Sequence, residues 1–380
     1  MRQWLLALFA AFSASLTAPC WAQSNAEAEI NDVFQRLLEN PSDVDLNFRY
    51  ADLAIAQDRL RHALAAYERI LATDPENRAA QDGLRRIKQL LKPQFTALTL
   101  RLGGQWESNP RLEQSRQQAR DDVSALPYVE LVDERQISGL RLRSEGELAA
   151  SFYGRHNDLN YGRAAVNSGP VFALGDWDIR PAVGGAYTWL DGSAFYQEAT
   201  ALLSLAPAAG GTLRRVNLRF SYDWIESDVA QRDAFILEVA PQLNWLGQID
   251  PRDVILVAPF YRYNGISGGG PAGTGARGQS FPLESQQIGA RFDYYLPLQQ
   301  DLAIDLNFTV SYQAYSEDGD PGAGDRRDIY LSPGVQLIVK EVIAQRHDLV
   351  FGYQYEDNRS NSSSDDFINH LVSVRSVWRF

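Results

Sequence analysis

Cysteine and methionine are almost absent. The 380 residues hold one of each, Cys20 and Met1. A leader removed after Ala22 would take both away, leaving no possible disulfide, thiolate metal site or cysteine nucleophile. A chain without thiols cannot mispair in an oxidising compartment, which suits the periplasm. Long apolar runs are missing too. After residue 30 no stretch of about 20 apolar residues occurs, so helical membrane spans are excluded. Hydrophobic content is nevertheless 45%, with a mean hydropathy of −0.31. The net charge of −12 argues against a nucleic-acid partner recognised through bulk charge, and it suits a solvated periplasmic or extracellular surface. Histidine is scarce: His62, His156, His347 and His370 stand apart, with no spacing that suggests paired metal ligation. His156 with Asp158 is an ordinary loop pair, and there is no phosphate loop or dinucleotide fingerprint. The chain is therefore not expected to be an enzyme, and no catalytic residue, cofactor or metal is expected.

What is present begins with a secretory signal over residues 1–22. Arg2 supplies the positive start, Leu5 to Leu16 is mostly apolar and too short to span a bilayer, and Ala22 is the expected last residue. A lipoprotein reading would instead cut before Cys20, but Pro19 stands where a small flexible residue is wanted.

Residues 23–93 have helical periodicity and an internal repeat. Pro41 and Pro75 lie 34 residues apart, and the same offset pairs Ile30 with Leu64, Val33 with Tyr67, Leu37 with Leu71, Tyr50 with Leu84 and Leu53 with Ile87. This period resembles the tetratricopeptide repeat, with Ala51, Ala63, Tyr67 and Pro75 at its small, small, aromatic and proline positions. Four helices are predicted, over 27–39, 43–56, 59–72 and 77–91. In that family the first helix of each unit lines a concave groove, which makes Phe48, Asp52 and Ile55 the cargo-groove candidates. The plainer reading is a pair of helical hairpins that only caps or anchors the rest.

From Phe95 the period changes from 3.6 to 2. Val216, Leu218, Phe220, Tyr222 and Trp224 alternate with Arg215, Asn217, Arg219, Ser221 and Asp223. The same pattern runs through Leu302–Tyr312 and Phe235–Trp245. Soluble sandwiches alternate as well, but aromatics at strand ends and strands of about 10 to 16 residues favour a membrane barrel. Residues 94–380 are thus expected to form a 14-stranded antiparallel transmembrane β-barrel. Thirteen strands are obvious, and Val123–Val132 is expected to supply the fourteenth despite Pro127, which puts both barrel ends on one side. The barrel should close Leu98–Gly103 against Val372–Phe380. A final strand closing on an aromatic resembles the insertion signal of such barrels, so deleting Phe380 should lower the amount of heat-modifiable protein recovered from the outer membrane. Undiminished recovery would leave Phe380 a packing residue.

Alternation points Arg101, Arg215, Arg219, Asp223, Glu238, Asp305, Arg375 and Arg379 into the lumen. Their mixed signs fit a salt-bridge network that fills the barrel, or a guide for a passing solute or polypeptide. Gly103-Gly104 and Gly184-Gly185 read as strand kinks or sites of small-residue packing.

A signal, a short tetratricopeptide-like region and a fourteen-strand barrel ending in Val377-Trp378-Arg379-Phe380 is similar to the surface lipoprotein assembly modulator (Slam) family. The run Gly104 to Pro110, Gly-Gln-Trp-Glu-Ser-Asn-Pro, resembles the segment that leaves the first strand in those proteins, and Leu174 to Trp177 fits the same impression. The resemblance implies a role in moving lipoproteins or related secreted proteins across the outer membrane, without covalent chemistry. The implied partners are secreted or lipid-anchored protein cargo, outer-membrane lipid, periplasmic chaperones and the barrel-assembly machinery. The competing class is an exopolysaccharide or small-solute export channel with a helical periplasmic adaptor, and the third is an adhesive barrel with a periplasmic anchor.

Overall fold

A computed structural model of the chain describes residues 21–380, apart from 58, 92–93, 114–118, 138, 209–210, 227, 269–272, 275–279 and 317–325. Residues 1–20 of the expected signal lie outside the described residues. The chain forms two compact units, the first ending at Lys92 and the second running from Pro93 to Phe380.

The first unit holds helices α1 (Trp21–Glu39), α2 (Val44–Ala56), α3 (Leu60–Thr73) and α4 (Arg78–Leu90). Their apolar stripes meet in one core: Ile30, Val33 and Leu37 from α1, Tyr50, Ala51 and Ala54 from α2, Ala63, Tyr67 and Ile70 from α3, and Ile87 from α4. The small residues let the helices approach closely. Gly83 shows how closely, since a Cβ there would lie 2.4 Å from the Tyr67 ring.

The 34-residue period recurs in the hydrogen bonds. Asn40 N–H donates to the Arg36 carbonyl and Asp74 N–H to that of Ile70. Asp43 accepts the Leu46 N–H at its carboxylate, and Asn77 accepts that of Ala80 at its amide oxygen. The Asn47 side chain donates to the Pro41 carbonyl at 2.9 Å, and the Gln81 side chain to that of Pro75 at 2.7 Å. Each pair is offset by 34, so the α1–α2 and α3–α4 turns are built alike, each capping the helix that follows.

The second unit is a closed antiparallel barrel of fourteen strands, as the alternation predicts. In chain order they are β1 (Phe95–Glu107), β2 (Asp122–Ile137), β3 (Leu140–Tyr153), β4 (Tyr161–Leu174), β5 (Trp177–Leu190), β6 (Ser193–Pro207), β7 (Leu213–Ile225), β8 (Asp233–Leu246) and β9 (Val254–Ser267). A two-residue hairpin, β10 (Gly273–Thr274) with β11 (Ser280–Phe281), interrupts the series without joining the barrel. The series resumes with β12 (Ser285–Pro297), β13 (Leu302–Tyr315), β14 (Arg327–Val339), β15 (His347–Ser360) and β16 (Phe367–Arg379). Each strand pairs with its chain neighbours, β9 pairs with β12, and β1 closes on β16. Leu98 and Phe380 exchange backbone hydrogen bonds, and the register runs on through Gly103 with Arg375 to Glu107 with Leu371.

An even strand number returns the chain to the end at which it entered. That end carries mostly short turns, such as 175–176 and 298–301, and the opposite end carries the long links 108–121, 268–284 and 316–326 along with the tight turn 191–192. Proline explains several irregularities in the ladder. It has no N–H to donate, so it requires a broken bond on one side. The β2–β3 ladder skips between Ala125 and Tyr128, at Pro127. The β14–β15 ladder skips between Leu331 and Gly334, at Pro333. The β8–β9 ladder skips between Val239 and Leu243, opposite Pro259 and at Pro241.

The outward face is apolar. Leu102, Val166, Val183 and Ile288 are 60–72% exposed, and Trp106, Trp177 and Trp224 stand exposed near strand ends. Among the described residues no helix is long and apolar enough to cross a membrane. A closed barrel has no unpaired edge, and a continuous apolar outer wall with aromatic borders is unfavourable in water and favourable in lipid. The chain is accordingly a transmembrane β-barrel of the outer-membrane type.

At the short-turn end, the turn 247–253 is organised by one carboxylate. Asp253 accepts the N–H groups of Gln248 at 2.7 Å, Ile249 at 2.7 Å and Asp250 at 3.2 Å, and the Tyr294 hydroxyl at 3.1 Å. Desolvation pushes this carboxyl upward, but the backbone donors outweigh it and hold its pKa below the ordinary value. Because the folded pKa lies below the unfolded one, about 3.9, the stabilisation is complete above that pH and is lost as pH falls through the folded value. Protection of the Gln248 to Asp250 amides against exchange, relative to the intrinsic rate, should therefore fall in Asp253→Ala at neutral pH, and in the native chain only under acid. Equal protection in variant and native chain would show that the turn holds itself.

Candidate functional site in the barrel lumen

Strand parity decides which side chains face inward. One register row runs Thr99, Glu130, Glu147, Ala165, Ala186, Glu198, Asp223 across seven strands, and the row beside it is the outward Leu98, Leu131, Gly146, Val166, Gly185, Ala199. All eight sequence-derived lumen positions lie on the inward face, opposite the exposed apolar residues.

Their surroundings differ. Arg101 lies 3.7 Å from Glu130 and over the Tyr128 ring. Arg219 pairs with Glu198, which Arg163 also holds at 2.9 Å. Glu238 accepts from Arg262 at 2.8 Å. Arg379 pairs with Asp348, so its charge at the short-turn end is balanced. Arg375 donates to the Gln336 amide oxygen at 2.9 Å and fills the space opposite Gly103, where a Cβ would meet its Cγ at 2.5 Å. Arg215, Asp223 and Asp305 have no ion pair among the described residues.

The densest charge lies on strands that none of the eight positions samples. On β2 to β5, Glu134 pairs with Arg141 and lies 3.6 Å from Arg143, Arg143 meets Glu145 at 2.7 Å, and Arg180 reaches Glu145 at 3.2 Å. A cavity of about 230 Å³ lies beside this lattice, walled by Glu130, Glu145, Glu147, Glu198, Arg163 and Arg219. The signal was available: Arg141, Arg143, Glu145 and Glu147 occupy every second position. The facing wall is different. Mid-strand on β13 to β16 it presents Asn307, Ser311, Ser332, Gln336, Gln354 and Ser373. Gln354 donates to the Ser332 hydroxyl at 2.6 Å, and Gln287 of β12 to that of Ser311 at 3.0 Å. The lumen thus has one wall of alternating charge and one whose mid-strand amides and hydroxyls are interrupted only by Asp305 and Arg375.

At the long-link end a buried polar knot ties the seam. Asn369 of β16 accepts the Asn109 N–H at 3.0 Å and the Ser108 hydroxyl at 3.3 Å, and donates to Glu107 at 3.2 Å and Glu356 at 3.1 Å. Glu107 also accepts the Tyr153 hydroxyl at 2.8 Å, and Glu356 that of Tyr330 at 2.8 Å. The Gly104–Pro110 run therefore locks strand β1 to β16, a role that local periodicity could not reveal.

In the helical unit, Phe48, Asp52 and Ile55 share one side of α2. Phe48 meets Tyr67 edge-on at 6.1 Å, and both Phe48 and Ile55 pack against the core. Asp52 is exposed. Burial raises the Tyr67 pKa, and the nearby Asp52 carboxylate raises it further. Asp52 is thus the candidate best presented to a partner.

No known family profile matches the chain, and no curated protein matches it. Among solved structures it is similar to a bacterial polysaccharide outer membrane secretin, at 9% identity and a TM-score of 0.43, over 74% of this chain and 98% of that one. It is also similar to outer-membrane expressed OmpT of Vibrio cholerae, at 12% identity and a TM-score of 0.41, over 77% and 100%. A third is the KdgM porin in complex with disordered oligogalacturonate, at 8% and 0.32, over 73% and 97%. At these values the likeness is one of barrel shape and says nothing of substrate.

Proposed function

We propose that the chain assists the translocation or surface display of lipid-anchored or related secreted proteins across the outer membrane. In this reading the helical unit is periplasmic and receives the cargo, and the barrel conducts or inserts it, with no bond made or broken. The observation that carries the reading is the duplicated 34-residue helical hairpin joined through residues 91–94 to β1. A tandem hairpin of this period resembles the tetratricopeptide scaffold, whose use is to hold peptides. Periplasmic turns of outer-membrane barrels are the short ones, and β1 starts at the short-turn end, which supports a periplasmic placement of what precedes it. A passive channel has no need of such a unit.

A second reading, export of a polysaccharide or small solute, is favoured by the amide and hydroxyl wall of β13 to β16, whose donors and acceptors suit a hydroxylated chain. Deleting the gene and comparing surface-exposed proteins with exported polysaccharide separates the two. Loss of one or a few surface proteins with normal polysaccharide supports delivery. Loss of polysaccharide with an unchanged surface proteome overturns it.

A further inference from the structure

A buried carboxylate oxygen in the lumen is left without a hydrogen-bond donor. Asp223 stands near the long-link end of β7, is 5% exposed, and its Oδ1 accepts no hydrogen bond among the described residues. It borders a cavity of about 230 Å³ that is separate from the charge lattice. Burying an acceptor without a donor is unfavourable. A carboxylate kept in that state beside a cavity is suited to a ligand that brings the donor.

The rest of the cavity narrows the chemistry. Its polar floor is Asn264, Ser285 and Gln313, and both amide groups donate to the Ser285 hydroxyl at 2.9 Å. Each amide nitrogen then has a second hydrogen, and each amide an oxygen, that these bonds do not use. The sides are apolar, formed by Ile236 of β8 and by Leu283 and Pro282 of the link 268–284. That link is folded against the barrel: Arg232 donates to the Pro282 carbonyl, and a Cβ at Gly273 would collide with the Val229 carbonyl. Arg326 forms one end, held by Asp328 and Asp365 and lying over Tyr315. A cationic ligand would face this guanidinium and an anionic one would face Asp223. A neutral ligand with hydroxyl donors and acceptors around an apolar ring face satisfies every wall. The volume is below the roughly 300 Å³ at which ligand clefts usually begin, so it suits a single ring.

We propose that Asp223, Asn264 and Gln313 form a binding site for one neutral sugar ring, roofed by Pro282 and Leu283 at the long-link mouth of the barrel. The ring donates a hydroxyl to Asp223, exchanges hydrogen bonds with the two amides, and lays its C–H face on Ile236 and Leu283. The site is independent of the cargo groove and of the delivery reading.

The test uses the full chain in a detergent without sugar headgroups, with a panel of methyl hexopyranosides followed by titration calorimetry and saturation-transfer NMR. At least one should bind saturably, with a Kd on the order of 1 mM, typical of a few hydrogen bonds on a small ligand. Asp223→Ala and Gln313→Ala should each weaken it by about tenfold or more, equivalent to roughly 1.4 kcal/mol, while heat-modifiability stays native. Should Asp223→Ala fail to fold, Gln313→Ala alone carries the comparison. A disaccharide of the same sugar that binds more tightly assigns the ring to a glycan chain, and one that is excluded assigns it to free sugar; both support the proposal. Absence of binding by every glycoside, equal binding in native chain and folded variants, or binding of methylammonium in their place would overturn it.

Discussion

A chain lacking residues 25–92 is expected to assemble a folded, heat-modifiable barrel and to display none of its cargo at the cell surface. The first half of this expectation follows from the packing. The barrel closes on itself through β1 and β16, beginning at Leu98 with Phe380, and every strand finds both neighbours within residues 95–379. The helical unit has a core of its own, from Ile30 to Leu90. The second half rests on the proposed role of the hairpins as receiver. A complementary variant leaves the helices in place. Asp52 is exposed on the candidate groove face, whereas Phe48 and Ile55 are committed to the core, so Asp52→Lys reverses a surface charge without opening a cavity. It should weaken display while the circular dichroism of the helical unit is unchanged. If the truncated barrel displays cargo at the native level, the hairpins are an anchor and the delivery reading loses its main support.

Much of the architecture is legible in local pattern. A period of 2 with one apolar face requires lipid or a second sheet, and the strand lengths favour lipid. The even strand count depended on accepting Val123–Val132 as a strand in spite of Pro127. The structure shows how it is accommodated, by two skipped pairs, at Leu126 and Pro127, on the β3 side only. Three helices fall within one residue of their expected bounds because the 34-residue repeat fixes both turns, whereas α1 starts six residues earlier than expected, at Trp21. The hairpin β10–β11, the register shifts at Thr188/Trp189 and Leu213/Arg215, and the in-folded Pro282-Leu283 were not legible. Each depends on contacts between segments far apart in sequence, which periodicity does not encode. The lumen was legible by parity and not by pairing. Arg375 and Arg379 look alike in sequence, yet one lies against an amide and the other against Asp348.

The two walls of the lumen also differ in stiffness. Charged side chains on β2 to β7 are cross-linked strand to strand, Glu134 to Arg141, Glu145 to Arg180 and Glu198 to both Arg163 and Arg219. Each such pair, buried or half-buried between neighbouring strands, resists separation more than an exposed pair of the same length would. The β13 to β16 wall is joined by neutral amide–hydroxyl bonds of smaller individual strength. If the barrel yields to a passing polypeptide, the compliant wall is the one that adjoins the β1–β16 seam.

Asn369→Ala is expected to loosen that seam at its long-link end and to lower the temperature at which the folded barrel converts to the unfolded form on a semi-native gel. Asn369 is fully buried and uses both amide hydrogens and both lone pairs of its oxygen, across the junction of β15, β16 and β1. Truncation leaves the Asn109 N–H and the carboxylates of Glu107 and Glu356 each short of a partner. An orphaned buried polar group costs about 1–3 kcal/mol, more when it is charged, so the variant should lose more than one bond's worth of stability. Two further bonds hold the seam in this region and limit the damage: Ser108 N–H to the His370 carbonyl at 3.0 Å, and His370 N–H to the Ser108 hydroxyl at 2.8 Å. The effect should therefore be local. Amide exchange should rise at residues 105–109 and 369–372 and stay native at Leu98 and Phe380, where the short-turn end is closed by backbone bonds alone. Asn369→Asp gives an independent check, because it keeps the shape and replaces the amide donor with a third carboxylate beside Glu107 and Glu356. It should be worse than alanine at neutral pH and recover as the carboxyls are protonated. A seam equally protected in all three chains would mean that the ladder closes the barrel without the knot.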